Sequence, residues 1–514
     1  MADAGTWALA LAAALAAGGA LLLRDARGRA AAMALALVLA AILIAADSWD
    51  DERFRDLREH TALLAGAGLA GAAVIAGLAI VIRRRPEALP LIAVAALPFR
   101  VPIESGGDSA NLLLPLYAVL AAGVVGAVLS PVAGSRSPAS GSGPLRWLPY
   151  ALAALIALYA IQGIHSDDFS QAASNVGFFL VPFAVLFALL ARVEWSPRLL
   201  RWTLTVVVAE AILFALVAFA EYGMRELLWN PAIIEANEIH THFRVNSLFW
   251  DPNIFGRYLA ITIVAVVAVM VWHRTPRTVW SAAALALLLL AALATTLSQS
   301  SLVGLLAGLA VLAGLRWSAR WTAAACGLVV VAAVAVAAAG GAFDSDASSR
   351  KSIDVDTSGR WELIRGGLEM AADDPVAGLG SGGFEEAFQE RFRAGEQAAG
   401  TVSHTEPVTV LAEQGAIGFA VYLAVVAIAF AALAHAIRPY APGLRGGGRA
   451  LERPGGLEVG VARVALLAAL AAMFVHSLSY AAFFTDPITW VLLAIGLALA
   501  CERTAEGSDP LTER

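Results

Sequence analysis

The stretch DPNIFGRYLAITIVAVVAVMVW, Asp251 to Trp272, decides the class of fold. After Asp251-Pro252-Asn253 it is apolar to Trp272 except for Arg257, about one turn in, and a helix of that length crosses ~30 Å of hydrocarbon. Runs of this kind recur along nearly the whole chain. They are Thr6–Leu23, Ala30–Ala46, Thr61–Ile82, Ala88–Leu97, Ser109–Leu129, Trp147–Ile164, Ala173–Ala191, Trp202–Ala220, Ile254–Trp272, Val279–Leu297, Leu302–Leu315, Trp321–Gly340, Pro407–His435, Val464–Tyr480 and Ile488–Cys501. The fourth is short, ended by Pro98 and followed by Arg100, and reads as a half-helix or re-entrant segment, so about fourteen or fifteen spans are expected. Composition agrees, since 59% of the 514 residues are hydrophobic and 15% charged, where a soluble domain carries about 25% charge. A single helical bundle fits better than a row of soluble domains. No nucleic-acid signature emerges. Cys326 lies inside an apolar run and Cys501 at the end of the last one, which argues against a disulfide framework, a thiolate metal site or redox chemistry. Met1 to Leu23 lacks a basic leader region and reads as a retained helix.

Lys and Arg mark cytoplasmic loops. The basic connections are 24–29, 83–85, 136–146, 198–201, 273–277, 316–320 and 438–463, on alternate turns of the chain. The opposite face receives the acidic 47–60, the short 165–171, and two long loops, 221–253 and 341–406. The chain thus divides into N-terminal spans (1–201), a core with the two long external loops (202–435), a flexible cytoplasmic linker rich in Gly, Pro and Arg (436–463), and C-terminal spans and tail (464–514). Within the second loop, Trp361, Ile364 and Leu368 recur at helical spacing with Ser358 as a candidate cap. Asp374-Pro375 stops this helix, and a glycine-rich turn leads to another around Phe384 to Arg393.

Two motifs invite over-reading. Gly378-Leu379-Gly380-Ser381-Gly382-Gly383 satisfies the dinucleotide fingerprint literally, but that fingerprint needs a preceding strand and a βαβ unit. A tight helix-to-helix turn is the better reading, with phosphate contact at the following helix start as the alternative. Asp344-Ser345-Asp346 and Asp354-Val355-Asp356 have the spacing that holds a divalent cation beside a nucleotide sugar, yet nucleotide sugars are cytoplasmic and this loop is not. They read as a solvated acidic loop, so neither a metal nor a cofactor is expected.

Arginine on the external face is more informative, because topology does not explain it. Arg244 precedes the span at Ile254, Arg257 lies a turn inside it, Arg360 and Arg365 lie on the loop helix, and His404 stands before the next span. A guanidinium offers a fork of donors matching phosphate oxygens, and a base of near-neutral pKa suits proton removal from a sugar hydroxyl. Singly, each is as readily explained by snorkelling or loop pairing; their clustering on two loops of one face raises the functional reading. Glu210, inside a span where charge is costly, is equally a structural partner or a site residue. His476 more often serves as an interhelical hydrogen bonder, and Ser298-Gln299-Ser300-Ser301 either faces the site or links two spans.

In this order the motifs resemble the O-antigen ligase and polymerase superfamily of bacterial membrane glycosyltransferases. The resemblance runs from about Phe243 to Leu433, with a weaker echo in the last two spans. It rests on Phe243-Arg244-Val245 with Asp251-Pro252-Asn253, on Arg360-Trp361, on Pro375-Val376-Ala377-Gly378-Leu379-Gly380 with Phe384, and on Ser403-His404 with Leu411-Ala412-Glu413-Gln414-Gly415-Ala416-Ile417-Gly418. Two departures are Ser298-Gln299 where the family commonly has Ser-Arg, which puts one phosphate contact in doubt, and Thr405 where Asn or Ser commonly follows the His. The resemblance implies an all-α, GT-C-like polytopic transmembrane bundle with a structured helical extracytoplasmic loop, in the inner (plasma) membrane. It implies a metal-independent, inverting transfer from an undecaprenyl-pyrophosphate-linked glycan to an acceptor hydroxyl, the acceptor being a glycan, a lipid-linked glycan or a protein side chain. On this reading Arg244 and Arg360 hold the pyrophosphate and His404 activates or positions the acceptor. Arg257, Arg365, Asn253, Gln299 and Glu210 contribute to substrate binding. The competing class is a secondary transporter or flippase-like protein for envelope precursors, which would favour internal repeats and mid-membrane ionisable groups. A scaffolding partner in envelope assembly would carry an inert loop.

Overall fold

The computed structural model describes residues 4–49, 60–105, 108–130, 143–228, 233–234, 237, 243–273, 275–339, 360–392, 405–435, 437–445, 447–480 and 482–506. These form an all-α polytopic bundle with one small antiparallel hairpin. Among the described residues, 11 helices are long and apolar enough to cross a membrane, and Leu114–Leu129 and Pro487–Cys501 are shorter apolar helices. In chain order the elements are α1 (Ala4–Leu22), α2 (Ala26–Asp47), α3 (Thr61–Arg84), α4 (Ala88–Ala96), β1 (Val101–Ser105), β2 (Asp108–Leu112), α5 (Leu114–Leu129) and α6 (Pro144–Gln162). Then come α7 (Phe169–Leu190), α8 (Pro197–Met224), α9 (Pro252–Trp272), α10 (Pro276–Thr296), α11 (Gln299–Ala313) and α12 (Ala319–Ala339). The chain closes with α13 (Arg360–Asp373), α14 (Phe384–Phe392), α15 (Glu406–Ala434), α16 (Gly456–Ser477) and α17 (Pro487–Glu506).

Helices suit this composition because a bilayer leaves backbone N–H and C=O groups no water to bond. Their starts carry the expected caps: Asp25, Ser196, Asp251 and Ser298 each accept a backbone N–H of the first turn. The bundle packs through small residues. Ala10, Ala13, Ala14 and Ala17 of α1 are buried. Gly304 and Gly308 bring α11 onto α16 so closely that an added Cβ would meet Ala472 O at 2.8 Å and Ala468 O at 3.1 Å. Such spacing lets backbones approach where lipid offers no hydrophobic contrast.

Three departures from the sequence expectations have local causes. The fourth element is the nine-residue α4, short as expected, but the fifth span starts late: residues 108–112 pair with 101–105, Val101 opposite Leu112, and α5 begins only at Leu114 with Pro115 in its first turn. Proline is at home there, where its missing N–H has no helical acceptor. The turn expected at Arg316–Arg320 is instead a π segment, Gly314–Ser318, joining α11 to α12 in one helical run. No proline interrupts Leu315 to Arg320, and Gly443 N bonds the Leu315 carbonyl at 2.8 Å. That bond also shows that the segment after α15, expected as a flexible linker, is ordered against the bundle. Two short turns, Arg438–Tyr440 and Arg449–Glu452, are held there by Trp272 Nε1 on Tyr440 O at 3.0 Å and by Arg463 on His435 O and Leu499 O. The connection thus meets Trp272 and Leu315 at one end of the bundle, where Arg316 also bonds Val271 O. The polar groups described next gather at the other.

Candidate functional site

Three chain segments meet where α9, α11 and α15 begin. Asp251 Oδ1 accepts from Asn253 N at 2.6 Å and Ile254 N at 3.4 Å, so the Asp-Pro pair starts α9 as a capped helix. The stretch before it is fixed from below. Ser247, at φ 53°, donates its N–H to Glu221 Oε2 at 2.7 Å and its hydroxyl to Phe214 O at 2.8 Å. Val245 N reaches Thr295 O at 3.2 Å. Arg244 therefore issues from a rigid loop. Its Nε donates to Thr296 O at 3.0 Å and its terminal nitrogen to Asn253 Oδ1 at 3.3 Å, while Asn237 pairs both of its backbone groups. Asn253 Oδ1 also accepts from Ser298 Oγ at 2.8 Å, and Ser298 contacts Ser301 Oγ at 2.8 Å and Ser300 Oγ at 3.2 Å. Ser300 reaches His476 Nε2 at 3.3 Å. A buried polar chain thus runs from α16 to the Arg244 guanidinium.

A second knot lies beside the first. Arg257 is 2% exposed and forms a buried ion pair with Asp486, with a further bond to Ala482 O at 3.4 Å. Asp486 in turn caps α17 through Ile488 N at 2.8 Å. Glu406, the first residue of α15, accepts Ala482 N at 2.7 Å and Phe483 N at 3.2 Å. Residues 482–486 are therefore clamped between α9 and α15. Tyr480 donates to Asp251, and burial holds its hydroxyl well above the usual tyrosine range. Arg100, just before the hairpin, is half-buried; burial pulls its guanidinium below its ordinary value while Asp486 opposes the shift.

The loop helices dock on α15 through a small core of Leu363, Met370, Phe384, Phe388 and Ala412. The face that docks is not the one expected: Trp361 is 42% and Leu368 48% exposed, whereas Gly366 and Gly367 let Phe388, Phe384 and Val408 lie against the backbone. The glycine-rich motif follows α13 and precedes α14 with no strand before it, which removes the dinucleotide reading. Gly378, Gly380 and Gly382 have φ of 74°, 95° and 84°, and a Cβ on them would fall 2.4–2.7 Å from the backbones of Glu413, Ser166 and Ala172. Leu379 N and Gly380 N bond Ala412 O and Glu413 O at 3.0 and 2.8 Å, and Gln162 Nε2 bridges Ala377 O and Gln414 O. The facing strand-like turn in α15 occurs at Gly415, whose φ of 59° breaks the helix. The motif is a docking turn.

Of the expected site residues, Arg244 and Asn253 come together, joined by Ser298. Arg257 is present but neutralised by Asp486. Arg365 instead points outward, pairing with Glu369 at 2.8 Å while 55% exposed, and Gln299 is exposed on the first turn of α11. Glu210 accepts from Tyr258 Oη at 2.8 Å within the spans. Arg360 begins α13, but its side chain, like His404 and the two D-x-D motifs, lies outside the described residues. Sequence reasoning missed Arg100, Glu406, Tyr480 and Asp486. One signal was available: Arg257 inside a span requires a carboxylate partner, and Asp486-Pro487 repeats the Asp251-Pro252 start.

Fold and site together define a polytopic membrane protein with a rigid cationic and polar site at one end of its bundle. Residues 284–423 match the family model described as O-antigen ligase. This match, over just under three-tenths of the chain, supports the O-antigen ligase and polymerase superfamily and an O-antigen ligase/polymerase-like glycosyltransferase. The match contains Ser298, Arg360, the glycine turn and His404; Arg244, Asn253, Arg257, Asp486 and Arg100 lie outside it. No curated protein matches the chain.

Proposed function

We propose that the chain transfers or polymerises a surface glycan, carried on undecaprenyl pyrophosphate, to an acceptor hydroxyl at the extracytoplasmic face, with inversion and without a metal. The Arg244–Asn253–Ser298 junction carries the reading: a guanidinium held in a fixed pose at the mouth of a membrane bundle suits the phosphates of a lipid-borne donor. The side is supported by charge. The end bearing Val271, Leu315 and 437–445 holds the arginine-rich connections, and the site lies at the other end, as retention of Lys and Arg in the cytoplasm requires.

The acceptor oxygen attacks the anomeric carbon opposite the leaving group. A new C–O bond forms as the C–O bond to phosphorus breaks, undecaprenyl pyrophosphate departs, and the acceptor proton passes to a base. Arg244 and Arg360 stabilise charge developing on the pyrophosphate, a contribution in the range of about 3–4 kcal/mol per well-placed donor. His404 is the base or the residue that positions the acceptor. Glu406 and the glycine turn act on it indirectly, by fixing where α15 starts.

The test is transfer by purified full-length protein with an undecaprenyl-pyrophosphate-linked glycan and a defined acceptor, with and without a chelator, alongside His404→Ala and Arg360→Ala. Loss of transfer in both folded variants, with no chelator effect, is expected. Full activity in both would refute the assignment, and chelator-sensitive transfer would refute metal independence.

A further inference from the structure

Beyond the arginines on the two long loops, the structure brings a further one to the site from the first half of the chain. Arg100 follows Phe99, whose ring meets Phe214 at 5.8 Å; Phe214 in turn packs on Phe249 at 5.1 Å and on Tyr258 at 5.6 Å. This aromatic stack holds the exit of α4 against the segment that leads into α9, next to Arg257. Arg100 is half-buried there, within electrostatic reach of Asp486, Arg257 and Tyr480, and it makes no hydrogen bond or ion pair among the described residues.

The described carboxylates that meet around Arg257 and Tyr480 are already engaged. Asp486 pairs with Arg257 and caps α17, Asp251 caps α9 and accepts from Tyr480, and Glu406 binds the 482–483 N–H groups. A second cation beside a neutralised pair, partly withdrawn from water, is costly unless an anion completes it. The half-helix α4 and the hairpin do not fill a crossing; they deliver this guanidinium to the mouth of the bundle. A non-spanning element at membrane depth is tolerated where it lines a cavity or is buried in protein.

We propose that Arg100 is a phosphate-binding residue of the donor site, holding the diphosphate of the lipid-linked substrate together with the Arg244 side of the junction. This rests on reading the site as one for a lipid-linked pyrophosphate. The α4–hairpin segment then has a function that the region matched to the O-antigen ligase family does not contain.

The experiment is binding of radiolabelled undecaprenyl pyrophosphate to the full-length protein in phosphatidylcholine nanodiscs. Arg100→Ala and Arg100→Gln should weaken binding about ten- to a hundredfold, the range for loss of one charge-assisted contact, while undecaprenol binding stays unchanged. Arg100→Lys, which keeps charge but not the fork, should fall between them and the wild type. Adding phosphatidylglycerol should not displace the probe; strong competition would show a headgroup site and overturn the proposal. If wild-type protein fails to bind the probe, the pyrophosphate reading itself falls. If wild type binds and the folded Arg100 variants match it, only the Arg100 assignment falls. Should Ala and Gln variants fail to fold, wild-type affinity in Arg100→Lys overturns the forked contact.

Discussion

Asp486→Asn is the sharpest single perturbation of this structure. Asparagine keeps the shape and caps a helix as well as aspartate, so the bond to Ile488 N can survive while the charge is removed. Arg257, 2% exposed, is then left with Ala482 O as its remaining acceptor. Breaking a buried pair by removing one partner costs about 3–5 kcal/mol, most of it from the uncompensated charge. Arg257→Met should cost a similar amount by stranding the carboxylate. The double variant removes both charges, and its cost should be smaller than the sum of the two by about 2–3 kcal/mol. Unfolding of purified protein in mixed micelles with rising SDS, followed by far-UV circular dichroism, measures all four corners of the cycle. Singles that each cost under ~1 kcal/mol, or a double variant equal to the sum, would refute the view that this pair is buried and coupled. The double variant should regain stability without regaining transfer, because the clamp on residues 482–486 that seats the start of α15 has lost its ionic tie.

Gly380→Ala places a Cβ 2.4 Å from Ser166 N at a φ of 95°, so the loop should lose its seat on α15. We expect a cost of about 2 kcal/mol or more and abolished transfer, read by limited proteolysis and product formation. Arg244→Lys keeps the charge but cannot span Thr296 O and Asn253 Oδ1 together; transfer should fall at least about tenfold with little change in stability. Arg365→Ala removes an exposed pair within one helix, so stability should move by less than ~0.5 kcal/mol and the transfer rate should hold. Glu210→Gln preserves a partner for Tyr258 and should leave transfer intact, whereas a transport role for Glu210 predicts its loss.

The fold was legible because its decisive signal is long and local. A span such as Ile254–Trp272 declares itself by apolar length, and the O-antigen ligase match bears out the family read from the loop motifs. What the sequence hid are places where tertiary contacts overrule a local pattern. The apolar residues at 109–129 read as one span, yet the hairpin takes the first of them and Pro115 delays the helix. Trp361 and Leu368 kept helical spacing but face outward, because two glycines offered α14 and α15 a closer approach than any large side chain could. The arginines were legible as a set and not in their individual roles. Arg365 finds Glu369 four residues away, Arg257 finds Asp486 across the fold, and no periodicity in the sequence distinguishes those outcomes.

One small motif does connect sequence to site. Among the described residues Asp-Pro occurs at 251, 374 and 486, and each time the structure places it at the same end of the bundle. At 251 and 486 the aspartate caps a span, and at 374 it receives Ala377 N while Pro375 O takes Ala416 N from the break at Gly415. The reason is common to all three. Proline fixes φ and gives up an N–H that a first turn could not use, and aspartate satisfies the N–H groups that remain. Such starts are rigid, and rigidity is what a group that must meet a phosphate or a reacting hydroxyl needs. Two of them flank the arginines: Asp251 fixes the helix that carries Asn253 beside Arg244, and Asp486 pairs with Arg257 while also acting on Arg100. The same aspartates that begin the helices thus fix the guanidiniums around which the proposed anion site is built.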